Sequence, residues 1–331
     1  MRKIVFFFFC TVCSVNGVAD QSTIIKKIDL LANFNVRDLF VFPEELKKKD
    51  VDLSVNNTIP EIAQVFLDSS KAEKVIVFNW LFEKEVLSMI PKEKLIYFLW
   101  EPWEVPYEYY QSYKRVYTWN DDLVDNVKFF KIHYPSLMAM ETELVPFKNK
   151  KFCVMVAGTD VDPKARNNDL YSERVRMVDF FETKPKGELE IYGRNWKSRQ
   201  YRDYIGEIPG FHSGPEKIST LKKYRFSICF ENTKNINGYV TEKIFCCFAA
   251  GCVPVYWGAK NIETYIPKRC YVDYRDFDTR EDLYQFLKNM KKETYEQYLV
   301  NIRNFLNSKE AQVFSPAYFQ KQFEEVVLQP L

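Results

Sequence analysis

Residues 224–258, YRFSICFENTKNINGYVTEKIFCCFAAGCVPVYWG, constrain the fold of this 331-residue chain more than any other stretch. Phe226, Ile228 and Phe230 alternate as on a strand, and polar Glu231, Asn232 and Thr233 follow where that strand would end. Residues 235–238 have loop composition, Thr241 is a good helix cap, and Ile244, Phe245 and Phe248 give one apolar face before Gly251 stops the helix. A second apolar run over residues 253–257 halts at Gly258. Strand, loop, helix and strand in about 35 residues read as a parallel βαβ unit, so the fold class is α/β.

The charges in this unit point to chemistry. Lys243 falls in the first helical turn, where the macrodipole and free N–H groups disfavour a cation by about 0.3–1 kcal/mol but attract a phosphate. Glu242 suits a helix start and can accept hydrogen bonds from sugar hydroxyls. The competing reading is a solvated first turn with a good cap.

The string FENTKNINGYVTEKIFCCFAAGCVPVYWG resembles the donor-binding signature of the alpha-1,3-fucosyltransferases, glycosyltransferase family 10. Those enzymes carry a similar F-E-N, a spacer, Y-x-T-E-K, a helix with a late Gly, and P-V-x-x-G. A weaker likeness reaches back to about Leu95. The resemblance implies a GT-B architecture, two Rossmann-like domains facing a central cleft. It implies inverting transfer of fucose from GDP-fucose to an acceptor glycan, commonly at the 3-hydroxyl of N-acetylglucosamine or glucose. Asn232, Tyr239 and Glu242 would orient the nucleotide sugar, Lys243 would hold the diphosphate, and Glu231 would brace the loop.

Composition narrows the alternatives. With 47 Lys+Arg against 45 Asp+Glu the formal charge is +2, so nothing favours nucleic acid as a partner and any basic site must be local. Outside the N-terminal Cys10 and Cys13, the cysteines form no CxxC pair and read as buried free thiols. Two histidines without ligand spacing, His133 and His212, argue against a zinc site. Asp-x-Asp triplets at residues 50–52, 160–162 and 276–278 are a weak metal signal, and the basic residues offer a metal-free way to hold a diphosphate. No cofactor is called for beyond the donor substrate.

Residues 1–19 begin with Arg2 and Lys3, run through an apolar segment and end in Gly17-Val18-Ala19, the pattern of a secretory signal or membrane anchor. This predicts a membrane-associated or secretory location. Residues 22–145 read as an N-terminal acceptor-binding domain, with strands at 74–80 and 94–100 around a helix at 81–90. The second strand empties into Glu101-Pro102-Trp103-Glu104, where ligands gather beyond strand ends in open α/β sheets. A base that deprotonates a sugar hydroxyl needs a carboxylate beside apolar walls. Glu101, flanked by Trp100 and Trp103, is the first candidate and Glu104 its rival; the family places a Glu in a comparable segment. Asp121 and Asp122 read as helix caps.

Residues 151–310 read as the donor domain and 311–331 as a helical tail. A strand at 152–157 leads to a helix opening at Tyr171-Ser172-Glu173-Arg174, similar to the family's order, which puts Arg174 either near the donor phosphates or on the surface. A strand at 188–192 ends in Gly193-Arg194. Glycine allows a sharp turn that projects the guanidinium, suited to bidentate contact with a diphosphate, and some family members have a donor-binding Arg there. Residues 206–217 read as a connecting loop. The alternatives to a fucosyltransferase are a transferase for another nucleotide sugar and a non-catalytic glycan-binding protein.

Overall fold

The computed structural model describes residues 74–79, 81–82, 84–102, 105–159, 168–209 and 214–329, and the backbone of two strands nearer the N-terminus. The leader-like residues 1–19, Glu104 and the 160–162 triplet lie outside the described residues. By compactness the chain divides into two units, residues 1–132 with 320–331, and His133–Phe319. The sequence reading put the change of domain at 145–151. The chain returns to the first unit at Gln320, within the segment read as a tail.

In the first unit, strands β1 (Lys26–Leu31), β2 (Val51–Asn56), β3 (Val75–Phe78), β4 (Leu95–Leu99), β5 (Arg115–Thr118) and β6 (Phe129–Lys131) form one parallel sheet in the order β2-β1-β3-β4-β5-β6. Every residue of β3 and β4 is buried, as the unbroken apolar runs VIVF and LIYFL require of a sheet covered on both faces. The helix expected over 81–90 shortens to the single turn α1 (Lys84–Leu87). Pro91 disfavours helical backbone at the residue before it and ends the segment. A second turn, α2 (Tyr107–Tyr110), precedes β5. Asp121 and Asp122 open a short 3-10 turn, but the cap is Asn120, whose side chain accepts the Asp122 N–H at 3.0 Å. Asn120 precedes the turn, where a capping oxygen can reach back to its free N–H groups. Lys74, buried at the foot of β3, donates to the carbonyls of Val326 (3.0 Å) and Val327 (2.9 Å) and so satisfies the end of the C-terminal helix.

The second unit holds β7 (Lys151–Val156), α3 (Tyr171–Glu182), β8 (Leu189–Tyr192), β9 (Tyr204–Gly206), α4 (Pro215–Leu221), β10 (Tyr224–Phe230), α5 (Glu242–Ala249), β11 (Val253–Trp257) and β12 (Val272–Asp273). Helices α6 (Arg280–Lys288), α7 (Lys292–Leu306) and α8 (Pro316–Leu328) follow, the last running on into the first unit. Its strands are also all parallel, in the order β12-β11-β10-β7-β8-β9. The chain winds outward from β7 through β8 to β9, then from β10 through β11 to β12. The topology therefore reverses between β7 and β10, where doubly wound sheets open a crevice at their carboxyl ends.

The βαβ unit read from the sequence is present, with β10 and β11 paired from Phe226 opposite Val253 to Phe230 opposite Trp257. The loop expected over 206–217 instead contains the end of β9 and the start of α4, with Pro215 in the first turn. Over residues 265–274 only the two residues of β12 form a strand, because Pro267 has no N–H to give a ladder and a 3-10 turn intervenes. Six cysteines, Cys153, Cys229, Cys246, Cys247, Cys252 and Cys270, are buried free thiols as expected. Among the described residues no helix is long and apolar enough to cross a membrane.

Candidate active site

The site grows from the end of β10. The Glu231 N–H donates to the Trp257 carbonyl at 2.9 Å, extending the β10–β11 ladder by one residue and turning a carboxylate into the protein interior. That carboxylate is fully buried. It accepts the Thr241 N–H (2.9 Å), the Thr241 hydroxyl (2.7 Å) and the Lys243 ammonium (3.0 Å), so the 231–241 loop is closed by its own two ends. Gly258 makes room for it: a Cβ there would stand 2.5 Å from Glu231 Cγ and 2.6 Å from the Tyr256 hydroxyl. Thr241 caps α5 by accepting the Lys243 N–H.

Lys243 is thus engaged by an internal anion. Burial by itself would lower its pKa, but the carboxylates of Glu231 and Glu242 outweigh that and raise it above 10.5. Glu242 is partnered in turn by Lys217, whose ammonium lies 3.3 Å from Oε1. Tyr239 is only 2% exposed, with its ring against the edge of Tyr134 and its carbonyl accepting the Tyr256 hydroxyl at 3.4 Å. It is a buried wall of the loop.

Arg174 occupies the switch point. One guanidinium nitrogen donates to Gly158 O beyond β7 (2.9 Å); another donates to Phe230 O (2.8 Å), Glu231 O (2.7 Å) and Asn232 Oδ1 (2.9 Å) at the end of β10. The surface alternative is overturned: the side chain is 1% exposed and ties the ends of the two central strands together. The sequence carries a signal for this, since Leu170, Arg174, Met177, Val178 and Phe181 share the helical spacing of one apolar stripe, and all five are buried. Asn232 is held by Arg174 and, through its carbonyl, by the Leu170 N–H at 3.2 Å.

Arg194 stands exposed at the end of β8, beside β7 in the sheet. Gly193 has φ +137°, and a Cβ on it would stand 2.3 Å from Ala157 O, so only glycine lets β7 and β8 end this close together. The Arg194 carbonyl accepts the Thr159 N–H at 3.1 Å, which ties this turn to the loop after β7. Asn232, Tyr239, Glu242, Lys243 and Arg194 therefore all belong to the carboxyl edge of one sheet. Lys217 and Gly258 join them, although the sequence reading gave Lys217 only to a connecting loop and Gly258 only to the end of an apolar run. Among the described residues no group of three or more His, Cys, Asp or Glu is arranged to hold a metal.

In the first unit, Glu101 follows β4 and is partly buried. Asn79, in left-handed backbone (φ 57°), accepts the N–H groups of Trp100 (3.0 Å) and Glu101 (2.8 Å), which fixes the backbone that carries this carboxylate. Trp100 packs on Phe78 with ring centroids 5.1 Å apart. Glu104 and Trp103 lie outside the described residues.

Two doubly wound parallel sheets place the chain in the GT-B class of glycosyltransferases. Solved structures agree: an alpha1,3-fucosyltransferase superposes with a TM-score of 0.57 at 14% identity, covering 90% of this chain and 88% of that one. The same kind of enzyme with GDP-fucose gives 0.54 at 16% identity, covering 87% and 85%. T4 phage BGT in complex with UDP and Mn2+ gives 0.51 at 14%, covering 95% and 97%. At these identities the likeness is one of fold. The sequence is more specific: residues 146–323 match the profile described as glycosyltransferase family 10 (fucosyltransferase) C-term, and the chain belongs to that family. It is 33% identical over 96 residues to the alpha-(1,3)-fucosyltransferase FucT of Helicobacter pylori, covering 28% of this chain and 20% of that protein. It is 27% identical over 150 residues to the mouse 4-galactosyl-N-acetylglucosaminide 3-alpha-L-fucosyltransferase 9, covering 45% and 35%. The aligned stretches thus span about a third or less of these relatives' own lengths.

Proposed function

We propose that the protein is an inverting fucosyltransferase that moves fucose from GDP-fucose to a hydroxyl of an acceptor glycan, the 3-hydroxyl of N-acetylglucosamine or glucose. The observation that carries this reading is that the family match over residues 146–323 contains the whole carboxyl edge built around Lys243, Glu231 and Arg174. Solved GT-B relatives of this chain include one holding GDP-fucose.

In the reaction the acceptor oxygen attacks the anomeric carbon while the bond from that carbon to the β-phosphate oxygen breaks, and GDP leaves with the bonding pair. A carboxylate, Glu101 or Glu104, takes the acceptor proton. Lys243 and Arg194 stabilise the charge on departing GDP, and Arg174 adds a fixed positive charge behind them. Cations held in place before the reaction reorganise little as charge develops, which can contribute several kcal/mol. Glu242, Asn232 and Tyr239 orient the nucleotide sugar.

The test is GDP release from GDP-fucose with and without lactosamine-type acceptors. Acceptor-dependent release with transfer of fucose is expected. Release only from a different nucleotide sugar, or glycan binding with no release, would replace the reading with one of its rivals. Glu101→Gln and Glu104→Gln identify the base: the variant that loses turnover while retaining GDP affinity marks it.

A further inference from the structure

Lys217 lies on α4, outside the sequence motif, with a side chain only 11% exposed and its ammonium 3.3 Å from Oε1 of Glu242 in the first turn of α5. It lines one small cavity together with Lys243, Ser227, Cys229 and Cys247, at the carboxyl ends of β7 and β10. We infer that Lys217 is a positioning residue for the donor sugar, acting through Glu242; the inference rests on the fucosyltransferase reading above.

A carboxylate that accepts hydrogen bonds from sugar hydroxyls must be ionised and held in one rotamer. An ammonium on one oxygen does both, because a charge-assisted hydrogen bond is directional and favours the anion. Burial alone would lower the pKa of Lys217, yet the Glu242 carboxylate beside it opposes that and its pKa is raised instead, so the cation persists. A tie that merely fastened α4 to α5 has no need of charge, since buried ion pairs are commonly matched or exceeded in stability by apolar side chains of similar volume. The ionic choice therefore points to Glu242 as its purpose.

The expected result for Lys217→Met is a rise of about 5- to 20-fold in KM for GDP-fucose, the loss of one charge-assisted contact, with acceptor KM close to wild type. Lys217→Arg should recover donor KM to within about three-fold. Because Lys217 acts through Glu242, adding Lys217→Met to Glu242→Gln should shift donor KM by less than about two-fold. Wild-type donor KM in Lys217→Met, or its full effect in the Glu242→Gln background, would overturn the inference while leaving the fucosyltransferase reading intact. A wild-type protein that releases no GDP from GDP-fucose would overturn both. If Lys217→Met does not fold, Lys217→Gln, a neutral donor, carries the same comparison.

Discussion

The ammonium of Lys243 lies 3.0 Å from Oε2 of Glu231, a carboxylate with no solvent exposure, and 3.2 Å from the Thr241 hydroxyl that caps the same helix. A cation in the first turn of a helix is unfavourable by itself. Here the buried anion at the end of β10 compensates, and the ion pair closes the loop between strand and helix.

Removing one partner leaves a charge in the interior. Lys243→Met is therefore expected to destabilise the protein by about 3–5 kcal/mol, measured by urea unfolding, whereas Glu231→Leu combined with Lys243→Met should recover much of that loss. A single variant as stable as wild type would show that Lys243 matters only for ligand.

The pH dependence of that contribution follows from the raised pKa of Lys243. A folded pKa above the unfolded value gives stability that is fully present below the ordinary 10.5 and is lost as pH rises through the folded value. The stability difference between wild type and Lys243→Met should stay flat from about pH 6 to about pH 10 and shrink above that. A decline already visible between about pH 7 and 9 would place the lysine below its ordinary value and contradict the ion pair.

Gly258→Ala should be destabilising although Gly258 needs no left-handed backbone. The new methyl group would meet Glu231 Cγ at 2.5 Å and the Tyr256 hydroxyl at 2.6 Å, and both groups are fixed by other contacts. A loss of about 1–3 kcal/mol is expected, as for overpacking elsewhere, together with weaker GDP binding by calorimetry. Unchanged stability and unchanged GDP affinity would mean that Glu231 moves freely.

Arg174→Lys keeps the charge but not the fork. One ammonium cannot serve Gly158 beyond β7 and also the three acceptors at the end of β10. Leaving buried carbonyls unpaired should cost about 1–3 kcal/mol and weaken GDP binding more than acceptor binding. Equal loss for both substrates would argue against a role at the switch point.

How much was legible follows local rules. The βαβ unit of residues 224–258 could be read because strand and helix periods, the Thr241 cap and the closing glycines are near-neighbour features. The buried strands β3 and β4 were visible as unbroken apolar runs. Helix α4 and the shortness of α1 and β12 were not, because their limits depend on proline placement and on what each segment packs against.

Sequence alone fixed the family, the α/β class and the polar residues of the donor motif, since these are properties of order and spacing along one chain. Only the tertiary structure decided what those residues touch. It paired Lys243 with a buried Glu231 and Glu242 with Lys217 from a different helix, sank Tyr239 into the core, and drew Arg174 across the ends of β7 and β10. Burial and opposing charge are set by residues distant in sequence, Gly158 and Phe230 for Arg174 and Lys217 for Glu242, so no local pattern could state them.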